Sequence, residues 1–127
     1  MLKTRPFRLI GAAILLSLLT ACGSQNPSSV VKDAILALEK GEITEAKSYM
    51  DDSVKNAQNE GRVSAAMSAK TVKIKRHGGI SNVEITKEGV TGEVADISYV
   101  IHFKDGSNIT DSDRLIKTRS GWKIALQ

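Results

Sequence analysis

A chain of 127 residues, 41% hydrophobic and with a formal net charge of +4, has room for one small domain and no more. Its single cysteine excludes an intrachain disulfide framework, so packing must hold the fold. Two histidines and no free cysteine cluster leave no ligand set with metal-site spacing.

The chain opens on MLKTRPFR, with Lys3, Arg5 and Arg8 and no acid, and continues as LIGAAILLSLL from Leu9 to Leu19. A basic head before a short apolar run is the layout of a secretory signal. The run is shorter than the roughly 20 residues a membrane span needs. A core helix apolar on every face would need a larger protein around it. The run ends at Leu19, Thr20, Ala21 and Cys22, which resembles the bacterial lipobox. That resemblance implies diacylglycerol on the Cys22 sulfur and cleavage between Ala21 and Cys22, with the new amino group then open to acylation. Each buried CH₂ contributes about 0.8 kcal/mol, so two or three chains on one cysteine would hold the protein without a transmembrane helix. Gly23 stands where an Asp would favour the inner membrane, which implies the periplasmic face of the outer membrane in a Gram-negative cell.

On this reading residues 1–21 are a lipoprotein signal peptide, 22–28 the lipidated cysteine and its tether, and 29–127 a single α+β domain. Loss of the basic head leaves 15 Lys and Arg against 14 Asp and Glu. A near-neutral domain with few aromatics argues against nucleic acid as a partner. The expected partners are the membrane, through Cys22, and an envelope protein or glycan.

In the domain, Asn26 can cap a first helix with Pro27 at its first position. Val31, Ala34, Ile35 and Leu38 share its apolar face, and Gly41 ends it. Thr44 is the expected cap of a second helix carrying Ile43, Ala46, the Lys47 stem and Met50. A third helix is expected from Ser53 to about Met67, with Val54, Ala57, Gly61 and Ala65 as a thin small-residue stripe. From Lys70 the period changes to two: KTVKIKR reads as a strand with Val72 and Ile74 on one face and Lys73, Lys75 and His77 on the other. After Gly78–Gly79, ISNVEITKE reads as a strand with Val83 and Ile85 inward, turning at Glu88–Gly89. VTGEVADISYVIHF is the longest strand, and Asp105–Gly106 is a hairpin signal. A return strand covers about Asn108 to Lys117, and Ser120–Gly121 leads into WKIAL. The expected architecture is therefore N-terminal helices packed on one face of a curved antiparallel sheet.

Three pieces carry a family resemblance over nearly the whole mature chain: NPSSVVKDAILALEKGEITEAKSYM, GGISNVEITKEGVTGEVADISYVIHFKDG and GWKIAL. Together they resemble small bacterial lipoproteins grouped as a domain of unknown function, sometimes described as lumazine-binding-like. The resemblance implies the nuclear-transport-factor-two-like, or cystatin-like, cone fold and brings no common activity with it.

Cone folds host isomerases and dehydratases, which need an interior carboxylate or imidazole and a donor for an oxyanion. Along the long strand Ala95, Ile97, Tyr99, Ile101 and Phe103 make the face toward the helices, which leaves Asp96 and His102 outside. Tyr99 is the one polar tip on the inner face, and strand parity places no acid beside it. Asp111 and Asp113 share a face of the return strand, whose register is open between Ile109 with Leu115 inward and Ile116 inward. A solvated edge guarding against aggregation is the expected role of those acids. Trp122, with Ile124 and Leu126, is expected to close the core. Lys73, Lys75 and Tyr99 are the candidate contacts to a ligand or an anionic surface. No catalytic residue, metal or cofactor is expected.

The functional expectation is a non-catalytic binding or assembly module. Its alternatives are a small-molecule binder or enzyme using the hollow of the cone, and an immunity or inhibitor protein for a secreted partner. The deciding feature is whether Ile97, Ile101, Phe103 and Trp122 fill the space between helices and sheet, or whether it is open and lined by converging polar groups.

Overall fold

The computed structural model of the protein describes residues 25–126; the signal segment, Ala21 and Cys22 lie outside the described residues. Helix α1 (Pro27–Lys40) starts as its sequence predicts: the Asn26 side chain accepts a hydrogen bond from the Ser29 N–H at 2.8 Å, and Pro27 takes the first turn. It ends where Gly41 adopts φ 75° and the Glu42 N–H reaches back to the Ala37 carbonyl at 2.9 Å. Helix α2 (Ile43–Ser48) follows at once, so Glu42 rather than Thr44 takes the capping position, without a side-chain bond. A short 3₁₀ turn (Asp52–Lys55) leads to helix α3 (Ala57–Arg76).

Helix α3 corrects the reading of Lys70–Arg76 as a strand. The alternation paired Val72 with Ile74, but Ile74 is 1% exposed and Val72 48%. The buried set is Val63, Thr71 and Ile74, with the partly buried Met67 on the same face, spaced for a helix. Thr71 locks it in place, its hydroxyl donating to the Leu38 carbonyl at 2.6 Å across the α1–α3 contact. Lys73, Lys75 and Arg76 then sit in the last turn, where cations suit the carbonyl end of a helix.

The sheet is an antiparallel meander in the order β1-β2-β3-β4, formed by β1 (Ile80–Thr91), β2 (Val94–Phe103), β3 (Asn108–Thr118) and β4 (Gly121–Ile124). Strand β1 runs straight through the turn expected at Glu88–Gly89, since Gly89 pairs with Asp96 in the ladder. The chain reverses instead at Gly92, which holds φ 62°. Two register shifts in β1, at Ile80/Asn82 and Ile85/Lys87, bend the sheet around the helices.

On β2, Ala95, Ile97, Tyr99, Ile101 and Phe103 are all buried against α1, as their parity predicts. The β2–β3 ladder settles the open register: Leu115 faces Ala95 and Ile109 faces Ile101, so Ile109 and Leu115 point inward. Asp111 and Asp113, lying between them, must share that face. Trp122 departs from expectation. It is only partly buried, packed at the rim under the Lys117 ammonium at 5.8 Å, and Tyr99 is the largest fully buried side chain. The free side of β4 is covered by a connection the sequence did not signal, with Tyr49–Asp51 pairing to Ile124 through bonds of 2.8 and 2.9 Å.

Candidate functional site

The cone is filled at one end and open at the other. Near the β2–β3 hairpin, Ile101 and Phe103 close the space between sheet and helices. Toward the start of α3 that space opens into a cleft of about 520 Å³, within the range of small-molecule sites. Its walls are Ile35 and Leu38 from α1, Val63 and Met67 from α3, and Met50, Ile124 and Leu126 from the β4 side. Arg62, Lys70, Tyr99, Asp111 and Asp113 bring polar groups into it.

The Tyr99 ring is 1% exposed, and its hydroxyl donates to Asp113 Oδ2 at 3.1 Å, diagonally across the ladder. Tyr99 does therefore have an acid beside it, and the solvated-edge reading of Asp113 is corrected. Burial raises the Asp113 carboxyl above the usual carboxylate value, against the opposing pull of the Tyr99 hydrogen bond and of Lys70. Tyr99 is itself pushed up, first by burial and then by the charges of Asp113 and Asp111. Lys70 pairs with Asp111 at 3.5 Å, both partly solvated. Asp113 also borders a second, polar depression beside Arg114, but that guanidinium is held by Asp96 at 2.9 Å on the outer face.

The chemistry of this constellation is limited by its own hydrogen bond. A cone enzyme abstracting a proton needs a free base and a separate donor to receive the developing oxyanion. Here the Tyr99 hydroxyl is spent on the Asp113 carboxylate. A second triad-like group, Ser107, His77 and Asp105, is excluded by geometry. Asp105 Oδ2 and Ser107 Oγ both meet His77 Nδ1, at 2.7 and 3.0 Å, whereas a base oriented by one nitrogen must work through the other. The cluster instead ties the end of α3 to the β2–β3 hairpin, with the His77 ring stacked on Phe103 at 4.6 Å. Its hydrogen bonds, those of Ser107 foremost, hold Asp105 down to about 2.

The remaining candidates are dispersed. Lys73 and Lys75 are exposed on α3, two residues and so roughly 200° apart, and do not form one basic face. His102 pairs with Glu84 at 2.8 Å on the outer face, where parity placed it. No group of three metal-ligating side chains occurs among the described residues, and no described helix is long and apolar enough to cross a membrane. Arg62, Lys70, Asp111 and Asp113 were not legible as a site. A hairpin centred on Asp105 does place Tyr99 opposite Asp111 and Ile97 opposite Asp113, the register that would have found them.

Helices laid across a curved meander, with a hollow opening beside the last strand, make an α+β fold similar to that of a solved protein described as NTF2-like. The chain belongs to the family described as a domain of unknown function (DUF4878), which matches residues 20–125. A Campylobacter jejuni protein described as "Putative NTF2-like transpeptidase" shares the fold with a TM-score of 0.73 at 21% identity, over 81% of this chain and 100% of that one. A SEC-C motif containing protein from Rhodopseudomonas palustris is similar at a TM-score of 0.53 and 8% identity, over 79% of this chain and 75% of that one. No curated protein matches the chain.

Proposed function

We propose that the protein is an envelope lipoprotein, held by lipid on Cys22, whose domain binds a small amphipathic molecule in its cleft without transforming it. The observation that carries the binding reading is the half-filled cone: apolar walls converge on a few polar groups at the open end. The Tyr99–Asp113 bond supports the non-catalytic part, because the groups a proton-transfer enzyme would need are engaged with each other. The Campylobacter jejuni neighbour's description would, if carried over, call for an activated nucleophile. The cleft's one hydroxyl-bearing serine, Ser112, stands without an imidazole or amine base among the hydrogen bonds of the described residues. A flat heterocycle of the lumazine type finds little support, since Tyr99 is the only aromatic residue lining the cleft among the described residues.

Support for the anchor comes from the lipobox-like LTAC and the basic, apolar segment before it. Helix α1 begins at Pro27, so the tether from Cys22 is short and would hold the domain close to the bilayer. Cys22→Ser should abolish palmitate labelling and leave an unprocessed precursor. A variant that is still labelled, or cut normally, would overturn the anchor.

A further inference from the structure

Resting on the reading of the cleft as a binding site, we infer that it selects amphiphiles bearing a cationic nitrogen, which docks on Asp113 while the apolar part lies along Met50, Met67 and Leu38. The charge arrangement of the cleft supports this choice. Helix α3 and strand β3 run in opposite senses, since His77 meets Asp105 at one level and Lys70 meets Asp111 at the next. Moving from that second contact toward the mouth, two strand residues rise roughly 6.6 Å to Asp113, and four helix residues rise roughly 6 Å to Ala66. The side chain on α3 nearest the level of Asp113 is thus a methyl group, and both Ala66 and Asp113 line the cleft. The cations of α3 fall on either side: Lys70 is held by Asp111 at 3.5 Å, and Arg62 stands one turn further toward solvent.

Asp113 is left with a single donor among the described residues, the neutral Tyr99 hydroxyl. A carboxylate has about four lone-pair sites, and withdrawing it from water without a compensating charge is costly. Burial raises its carboxyl above the usual carboxylate value, and the pull of the Tyr99 hydrogen bond and of the more distant Lys70 ammonium, itself paired with Asp111, does not offset it. An ammonium or amidinium group matches the Asp113 carboxylate in both charge and hydrogen-bond donors, as a carboxylate or hydroxyl group does not.

The test uses a labelling coincidence of the sequence. Apart from Met1, the methionines of the sequence are Met50 and Met67, and both line the cleft. The protein as the cell processes it, labelled with ¹³C-methyl methionine, would be titrated with hexylammonium, hexanol and hexanoate, following both methyl resonances. The expected result is that hexylammonium shifts both methyls and binds about ten-fold or more tightly than hexanol, the scale of one charge-assisted contact. Asp113→Asn should remove that preference, while Glu84→Gln, on the outer face of the sheet, should leave it unchanged. Equal binding of the three probes by the wild-type protein, or a preference for hexanoate that Arg62→Gln abolishes, would overturn the cation assignment and leave the cleft reading intact. No shift of either methyl with any probe would overturn the cleft reading itself.

Discussion

Tyr99→Phe isolates the bond on which the site is built. The ring lies fully buried among Ile97, Ile101 and Leu115, and phenylalanine keeps its volume, so no cavity is created. What is lost is a hydroxyl donating to a carboxylate at 3.1 Å. Hydrogen bonds to charged groups contribute about 1.5–3 kcal/mol, and partial solvation of Asp113 through the cleft argues for the lower end, about 1.5 kcal/mol. For a domain near 100 residues that corresponds to a fall in Tm on the order of 6–12 °C at pH 7. The loss should depend on pH, and its sign is fixed. Because the folded pKa of Asp113 is raised, its charge costs stability at neutral pH, and the cost is relieved as pH falls through the folded value toward the ordinary one. Removing the Tyr99 donor raises the folded value further, so the variant gains more on acidification than the wild type does. The gap between the two proteins should narrow from pH 7 to pH 4, measured by urea unfolding of both in parallel. Two unfolding curves that stay a constant distance apart over that range would show that the hydroxyl does not serve the carboxylate, and the site as described would fail.

Trp122→Ala should cost about 2 kcal/mol, less than Leu115→Ala at about 3–4 kcal/mol, because the indole is only partly buried and leaves no enclosed cavity. Urea midpoints in the reverse order would return Trp122 to the centre of the core. Asp105, held at about 2 by Ser107 and then His77, should support stability that is present above the ordinary carboxylate value and lost as pH falls through about 2. Asp105→Asn should therefore flatten the stability profile between about pH 4 and pH 2, and an unchanged slope there would count against the hairpin clasp.

The parts of this fold legible in the sequence are those where one local signal had one physical meaning. Asn26 followed by Pro27, ahead of the apolar stripe from Val31 to Leu38, starts a helix, and Gly41 stops it by taking φ 75°. The alternation from Ala95 to Phe103, broken only at Val100, reads as a half-buried strand. Lys70–Arg76 failed because Val72 and Ile74 alternate over too short a span. The helix that contains them buries only Val63, Thr71 and Ile74, with Met67 partly covered, and Thr71 carries almost no hydrophobic signal. The site failed for a different reason. Parity rules assign inward positions to apolar side chains, and at Asp111 and Asp113 the inward positions are acids. A rule that reads the core from hydrophobicity must turn those two outward, and only the pairing across the Asp105 hairpin turns them back. The misreading of β3 and the position of the cleft thus have one cause. A sheet face that breaks its own apolar pattern cannot be filled by packing alone, and the space left beside Asp113 is where a ligand has room to complete it.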